Sequence, residues 1–275
     1  MAYWMDVWRF PNSTEYEYKY AGKYGAKGEK REERKKATPE QIKKQNQLNR
    51  EKRVRRLIKD NFFPNDLWVT LKYPKGTRKP LAEVKADMKR FRDKMRAEYK
   101  VRGQPFKFIY RIEIGERGGI HCHILINRLE GSDGTDILVR KAWDCGSAHY
   151  ENIYEAGGYK KLANYITKEP EEQVEKQLSL FPEEERKELC KYSTSRNLKR
   201  TEPERKTYER WTVRKLIEQG IKPTPGYYID PESVHQGVNR YTGLSYLHYT
   251  ECRIKTIDSR EEWRKLQEGG DRHGG

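Results

Sequence analysis

The chain has 275 residues, room for one large or two small domains. Lys and Arg number 58 against 42 Asp and Glu, a net charge of +16, which points to a polyanionic partner and most often to nucleic acid. No apolar run approaches the ~18 residues of a membrane-spanning helix. Cys122, Cys145, Cys190 and Cys252 form no C-x-x-C pair, so they read as reduced thiols of a cytoplasmic protein. The start, MAYWMDVWRF, has no basic-then-apolar leader. Nineteen Tyr and six Trp suit stacking on unpaired bases, or a core.

Residues 15–20 alternate polar and aromatic side chains and predict an edge strand. Residues 22–59 are a basic block of 15 Lys or Arg against 5 Glu. Within it, Thr38-Pro39-Glu40-Gln41 has the chemistry of a helix start: a hydroxyl cap, Pro at the first position, and Gln41 able to reach back. The helix predicted over 39–59 is polar nearly all round, apart from Ile42, Leu48, Val54, Leu57 and Ile58. An arm on DNA phosphates and a solvated tail are both open readings. Residues 66–73 predict a strand. Pro80 opens a helix to Val101, with Leu81, Val84, Met88, Phe91, Met95 and Tyr99 as its core stripe. Residues 106–114 and 121–127 predict the two arms of a hairpin. Residues 130–150 read as loop, with Trp143 a packing residue. Cys145 and His149 are neighbours but make no zinc motif.

The hairpin carries the first chemical signal. His121 and His123 flank Cys122, and side chains two apart on a strand leave one face about 7 Å apart at Cα. If Glu116, Arg117 and Gly118 form the loop, Glu113 lies opposite His121 and faces the same way; a one-residue slip would turn it over. Two imidazoles and a carboxylate suit a divalent cation with open positions, an arrangement that polarises a phosphoryl oxygen. The plain alternative is a strand with two surface histidines.

Residues 157–170 read as a short helix, opened by Gly157 and Gly158 and stopped by Pro170, with Tyr159, Leu162 and Ile166 turned inward. Lys161, Tyr165 and Lys168 share a neighbouring face. The two ammonium groups would favour phenolate over phenol and hold a phosphate, which suits Tyr165 for attack on a phosphodiester. The alternative is a half-buried tyrosine beside two solvated lysines. Residues 171–190 are acidic and predict a short helix. Residues 192–200 are basic and thread toward DNA or form a plain loop. A helix is expected over 204–219 and strands over 227–229 and 244–254, completing a small sheet; a charged helix end follows from 258. No G-x-x-x-x-G-K-[ST] stretch occurs, so no P-loop helicase is attached.

Together these segments resemble the HUH endonucleases that initiate rolling-circle replication of plasmids and phages, with the replication-endonuclease proteins of filamentous and microvirus-type phages as relatives. Trp68-Val69-Thr70-Leu71 looks like the family's first motif. Glu113-Ile114-Gly115, followed by His121-Cys122-His123, looks like its metal motif, and Tyr165-Ile166-Thr167-Lys168 like its Y-x-x-K nucleophile motif. Residues 193–199 look like a segment found after the nuclease in some members. The resemblance covers roughly residues 60–205, and the order of the motifs carries it.

The resemblance implies an α+β fold: a central antiparallel sheet, RRM- or ferredoxin-like, with the His pair on a central strand, helices on one face and the tyrosine helix beside the metal. It implies that Tyr165 is the nucleophile, that His121, His123 and Glu113 bind Mg²⁺ or Mn²⁺, and that Lys168 positions or neutralises the scissile phosphate. Lys161, Arg196 and Lys199 are the DNA-binding candidates beside them. The implied outcome is a 5′-phosphotyrosine and a free 3′-OH in single-stranded DNA at an origin, which a host helicase and polymerase then serve. The expected organisation is an aromatic and basic segment over 1–59, the nuclease core over 60–170 and a C-terminal region over 171–275. Some relatives carry two tyrosines three or four residues apart. Here those positions hold Leu162 and Lys161, so one tyrosine is expected, with Tyr159 a lesser candidate. A single-tyrosine transposase shares the chemistry. A non-catalytic single-strand-binding protein on an RRM-like sheet is the rival of another class, though no K/R-G-F/Y-G/A-F-V-x-F/Y stretch is present.

Overall fold

The computed structural model describes residues 3–20, 36–77, 79–115, 119–131, 134–153, 159–168, 182–183, 185, 189, 191–209 and 212–270. The expected loop 116–118, the glycine pair at 157–158, Pro170 and most of the helix expected over 171–190 lie outside the described residues. The fold is α+β, with two antiparallel sheets and, among the described residues, six helices. Its strands are β1 (Tyr3–Arg9), β2 (Ser13–Tyr20), β3 (Leu67–Lys72), β4 (Phe108–Ile114), β5 (Ile120–Ile126), β6 (Ser147–Asn152), β7 (Tyr192–Thr194), β8 (Glu204–Tyr208), β9 (Tyr227–Ile229), β10 (His235–Asn239) and β11 (Leu244–Arg253). Its helices are α1 (Pro39–Asn61), α2 (Leu81–Val101), α3 (Thr135–Ala142), α4 (Lys160–Thr167), α5 (Val213–Gln219) and α6 (Arg260–Gly270). Among the described residues no helix is long and apolar enough to cross a membrane. The chain divides into two compact units, one of residues 50–199 and 258–275, the other of 1–49 and 200–257.

The first unit is built on the sheet β6-β3-β5-β4-β7. The apolar stripe of α2 packs as its spacing predicts: Leu81, Val84, Met88, Phe91, Met95 and Tyr99 are each at most 2% exposed. With Leu138 and Val139 of α3 they cover Leu67, Val69, Leu71, Ile112, Ile124 and Ile126. Each such side chain contributes about 1.5–3 kcal/mol on burial. The opposite face is also covered. Trp68, Ile109 and Leu125 pack against Val54 and Ile58 of α1 and Ala163 and Ile166 of α4. The expectation of helices on one face is therefore corrected: Ile109 and Leu125 make the second face apolar toward one end, and only the end bearing the histidines and Glu113 is left polar.

Residues 130–150 are not a loop. They hold α3 and the first residues of edge strand β6, whose sequence SAHYEN is too polar to announce a strand. Trp143 is packed edge-on against Tyr73 and Phe91, and its Nε1 donates to the Lys72 carbonyl at 3.3 Å. Gly146 fits where little else does, because a Cβ there would lie 2.1 Å from the Lys72 carbonyl oxygen.

In the second unit the sheet runs β10-β11-β2-β1-β8, with β9 also on β11. β2 is thus an interior strand, not an edge. Its alternation puts Tyr16 and Tyr18 into a cluster with Tyr3, Tyr208 and Tyr249, under Val213, Leu216 and Ile217 of α5. Tyr3 stacks on Tyr208 and Tyr16 on Tyr249, each pair with centroids 4.8 Å apart. These five tyrosines form core. Residues 204–208 are strand β8 rather than helix. α5 begins only at Val213, where Thr212 Oγ1 accepts from Lys215 N. α1 opens with the expected reciprocal cap: Gln41 N donates to Thr38 Oγ1 at 3.3 Å, and Thr38 N to Gln41 Oε1 at 3.0 Å.

Candidate active site

The register of the first sheet fixes the site. β4 and β5 pair Glu113 with His121 and Arg111 with His123, and β3 places Thr70 opposite His123. Directly opposed residues of an antiparallel pair share a face. Gly115 N donates to Gly119 O at 2.8 Å across the mouth of the hairpin. The His121 ring lies over these glycines: a Cβ on Gly115 would come within 3.1 Å of its Cε1. Gly115 therefore makes room for an imidazole.

His123 is held from three sides. Its Nδ1 is 3.1 Å from Thr70 Oγ1, the Trp68 indole stacks on its ring at 5.6 Å and 13°, and its Nε2 lies 3.2 Å from Glu113 Oε2. Tyr165 comes down from α4 onto the same two groups. Its hydroxyl donates to Glu113 Oε2 at 2.7 Å and lies 3.0 Å from His123 Nε2. Lys168 completes the group, its Nζ 3.7 Å from Glu113 Oε1 and 4.9 Å from the centre of the Tyr165 ring.

A helix of eight residues is not stable alone in water. Arg111, 2% exposed, fastens this one to the sheet. Its Nη1 donates to the carbonyls of Tyr165 at 3.2 Å, Ile166 at 3.3 Å and Lys168 at 2.7 Å, oxygens that lack partners within a helix end. The same guanidinium places a positive charge beneath the site.

The electrostatics follow from these contacts. Burial opposes ionisation of Glu113, yet hydrogen bonds with His123 and Tyr165 and the charges of His123 and Arg111 outweigh it and hold the carboxyl at about 2. Burial, the His123 charge and Lys72 push His121 down, toward the neutral imidazole. Tyr165 is pushed well up, first by burial and then by its hydrogen bond to the Glu113 carboxylate. The expectation that flanking lysines favour phenolate is corrected for this arrangement. Lys168 is engaged with Glu113, Lys161 is exposed one turn earlier on α4, and the carboxylate dominates.

A divalent cation can be tested against these residues. An ionised carboxylate and a neutral imidazole are the right donor chemistry, and Glu113 and His123 already converge. The His121 ring centroid is 6.3 Å from that of His123, and among the described residues no three His, Cys, Asp or Glu side chains are gathered to hold an ion as they stand. The donor set fits the group, with His121 its outlying member.

Of the candidates, Glu113, His123, Tyr165 and Lys168 are brought together, and His121 shares their face. Lys161 lies exposed on α4; Arg196 and Lys199 are exposed in the segment after β7, where Asn61 grips the Lys199 backbone through both its N–H and its carbonyl at 2.8 Å. Tyr159, 3% exposed at the head of α4, is packed into the core. Sequence reasoning misses Arg111, although an arginine inside an otherwise apolar alternating strand is a signal for a buried polar role. Thr70 and Trp68 lie in a recognised motif, but the sequence assigns them no role.

No curated protein and no solved structure matches the chain. Residues 66–170, the span that carries Thr70, Arg111, Glu113, both histidines, Tyr165 and Lys168, match the family model described as Replication-associated protein, of the ORF2 type, which supports a replication-associated protein.

Proposed function

We propose that the protein is a replication initiator of the HUH endonuclease type that nicks single-stranded DNA at an origin. The observation that carries the reading is the Tyr165 hydroxyl, hydrogen-bonded at once to Glu113 and within reach of His123 on a face shared with His121. Glu113, His121 and His123 would hold Mg²⁺ or Mn²⁺, which supplies Lewis-acid polarisation of the scissile phosphate.

The chain's own residues divide the remaining work. Thr70 and Trp68 fix the His123 ring, and Arg111 fixes the height of α4 above the sheet. Lys168 meets the charge of the phosphate. The Tyr165 oxygen attacks phosphorus, its proton leaves on the Glu113–His123 side, and the products are a 5′-phosphotyrosine and a free 3′-OH. The ester keeps the phosphodiester's bond energy, so a later 3′-OH can reseal the strand. Lys161, Arg196 and Lys199 contact the DNA backbone nearby, and a host helicase and polymerase extend the freed end.

The test is to incubate the protein with single-stranded DNA from the flanks of its own gene and Mn²⁺ or Mg²⁺. The reading predicts a product whose 3′ end a polymerase extends and whose 5′ end resists phosphatase and kinase until protease removes the protein. Tight, metal-independent binding with intact DNA that contains the origin would refute it and favour a binding protein.

A further inference from the structure

One pair of side chains beside the site has no part in the reading above. β6 pairs with β3 so that His149 lies opposite Thr70 and Glu151 opposite Trp68. His149, Thr70, His123 and Arg111 thus form one rung across four strands, on the face that bears Tyr165. His149 Nε2 is 3.5 Å from Glu151 Oε1, and the two side chains are 66% and 62% exposed, open to solvent and to a strand laid across the sheet. Glu151 is near enough to Tyr165 for its charge to add to the upward push on the phenol.

Chemistry asks for a group in this position. A phosphodiester's 3′-oxygen leaves as an alkoxide unless it is protonated. Glu113 and His123 stand on the side of the attacking oxygen, so the leaving oxygen departs away from them. A reacting oxygen sits about 3–3.5 Å from phosphorus, and an acid works within about 2.6–3.2 Å of the oxygen it protonates. The donor therefore stands on the order of 6–8 Å from Tyr165 Oη, by the same two distances. Two strand spacings, about 10 Å at the backbone, separate β6 from β5, and a histidine side chain is long enough to close the difference.

We propose that His149, oriented by Glu151, is the general acid that protonates the leaving 3′-oxygen; this rests on the nicking reading. As the bond from Tyr165 Oη to phosphorus forms, the bond from phosphorus to O3′ breaks. The phenol proton leaves toward Glu113 and His123, the imidazolium of His149 gives its proton to O3′, and solvent returns one to His149. In resealing the same imidazole takes the proton back.

The experiment uses the full chain and an oligonucleotide spanning the nick, made with the natural linkage and with sulfur in place of O3′. A thiolate leaves without an acid. His149→Ala slows adduct formation on the natural linkage by about 10²-fold or more and leaves the sulfur linkage within a few-fold of wild type; His149→Gln behaves alike, and circular dichroism confirms that both are folded. Equal losses on the two linkages, or no loss on either, overturn the role of His149. Failure of the wild type on both linkages overturns the nicking reading itself, and this inference with it.

Discussion

Replacing Arg111 by alanine isolates one physical element of the account. The guanidinium is buried, and its Nη1 serves three carbonyls at the end of α4. Hydrogen bonds from a charged donor are worth about 1.5–3 kcal/mol net, and orphaned buried carbonyls cost a further increment. The loss expected for anchoring α4 is about 2–4 kcal/mol, because an eight-residue helix supplies little stability of its own. At about 1.4 kcal/mol per decade, the amides of α4 should exchange with deuterium roughly 30- to 1000-fold faster while the strands of the sheet change far less. Peptide-resolved hydrogen exchange reads this locally, without assuming that the two units unfold together. Arg111→Lys, which keeps the charge and loses the fork, should fall between. Exchange in α4 within threefold of wild type in Arg111→Ala would refute the claim that this arginine fixes the tyrosine helix.

Other consequences follow from neighbouring contacts. Thr70→Val removes the hydroxyl at His123 Nδ1 and should weaken Mn²⁺ binding about 10- to 100-fold by calorimetry, the usual cost of losing the partner that orients a histidine ligand; unchanged affinity would count against it. Glu113 has its carboxyl held at about 2, below its free value of about 4.3. Its stabilisation is therefore present above about pH 4.3 and is lost as pH falls toward 2. The lowered pKa of His121 works in the same direction. Between about pH 7 and pH 3, the urea midpoint should fall less in Glu113→Gln than in wild type, and equal falls would contradict this. Gly146→Ala forces a methyl into the Lys72 carbonyl and should destabilise by about 1–3 kcal/mol in chemical denaturation; a neutral effect would show that the β3–β6 contact yields.

Legibility in the sequence follows the strength of the local pattern. The stripe of α2 repeats at helical spacing along its 21 residues and is legible nearly to the residue, as is the Thr38–Gln41 cap. Glu113 opposite His121 is legible because a hairpin converts sequence order into pairing. The convergence of Tyr165 is legible only through the order of the motifs, since α4 reaches the sheet by packing and no spacing encodes that. β6 and β8 are not legible. They are polar edge strands, SAHYEN and ERKTY, held by backbone pairing to β3 and β1, so no apolar alternation marks them. The pairing of β2 with β11 joins residues far apart in sequence, such as Tyr18 and Leu247, and a local reading of residues 15–20 sees only an edge. The protonation of Tyr165 escapes the sequence for a similar reason: the lysines are neighbours on or beside α4, but the carboxylate that decides the matter comes from another strand.

The central claim is that Tyr165 becomes covalently joined to DNA. The direct measurement is to incubate the protein with 3′-labelled single-stranded DNA from the flanks of its gene and Mn²⁺, digest with nuclease and trypsin, and sequence the nucleotide-bearing peptide by mass spectrometry. The account predicts a 5′-linked nucleotide on Tyr165, metal-dependent and absent from Tyr165→Phe. A nucleotide on Tyr159 or any other residue, or an adduct that survives in Tyr165→Phe, would contradict it.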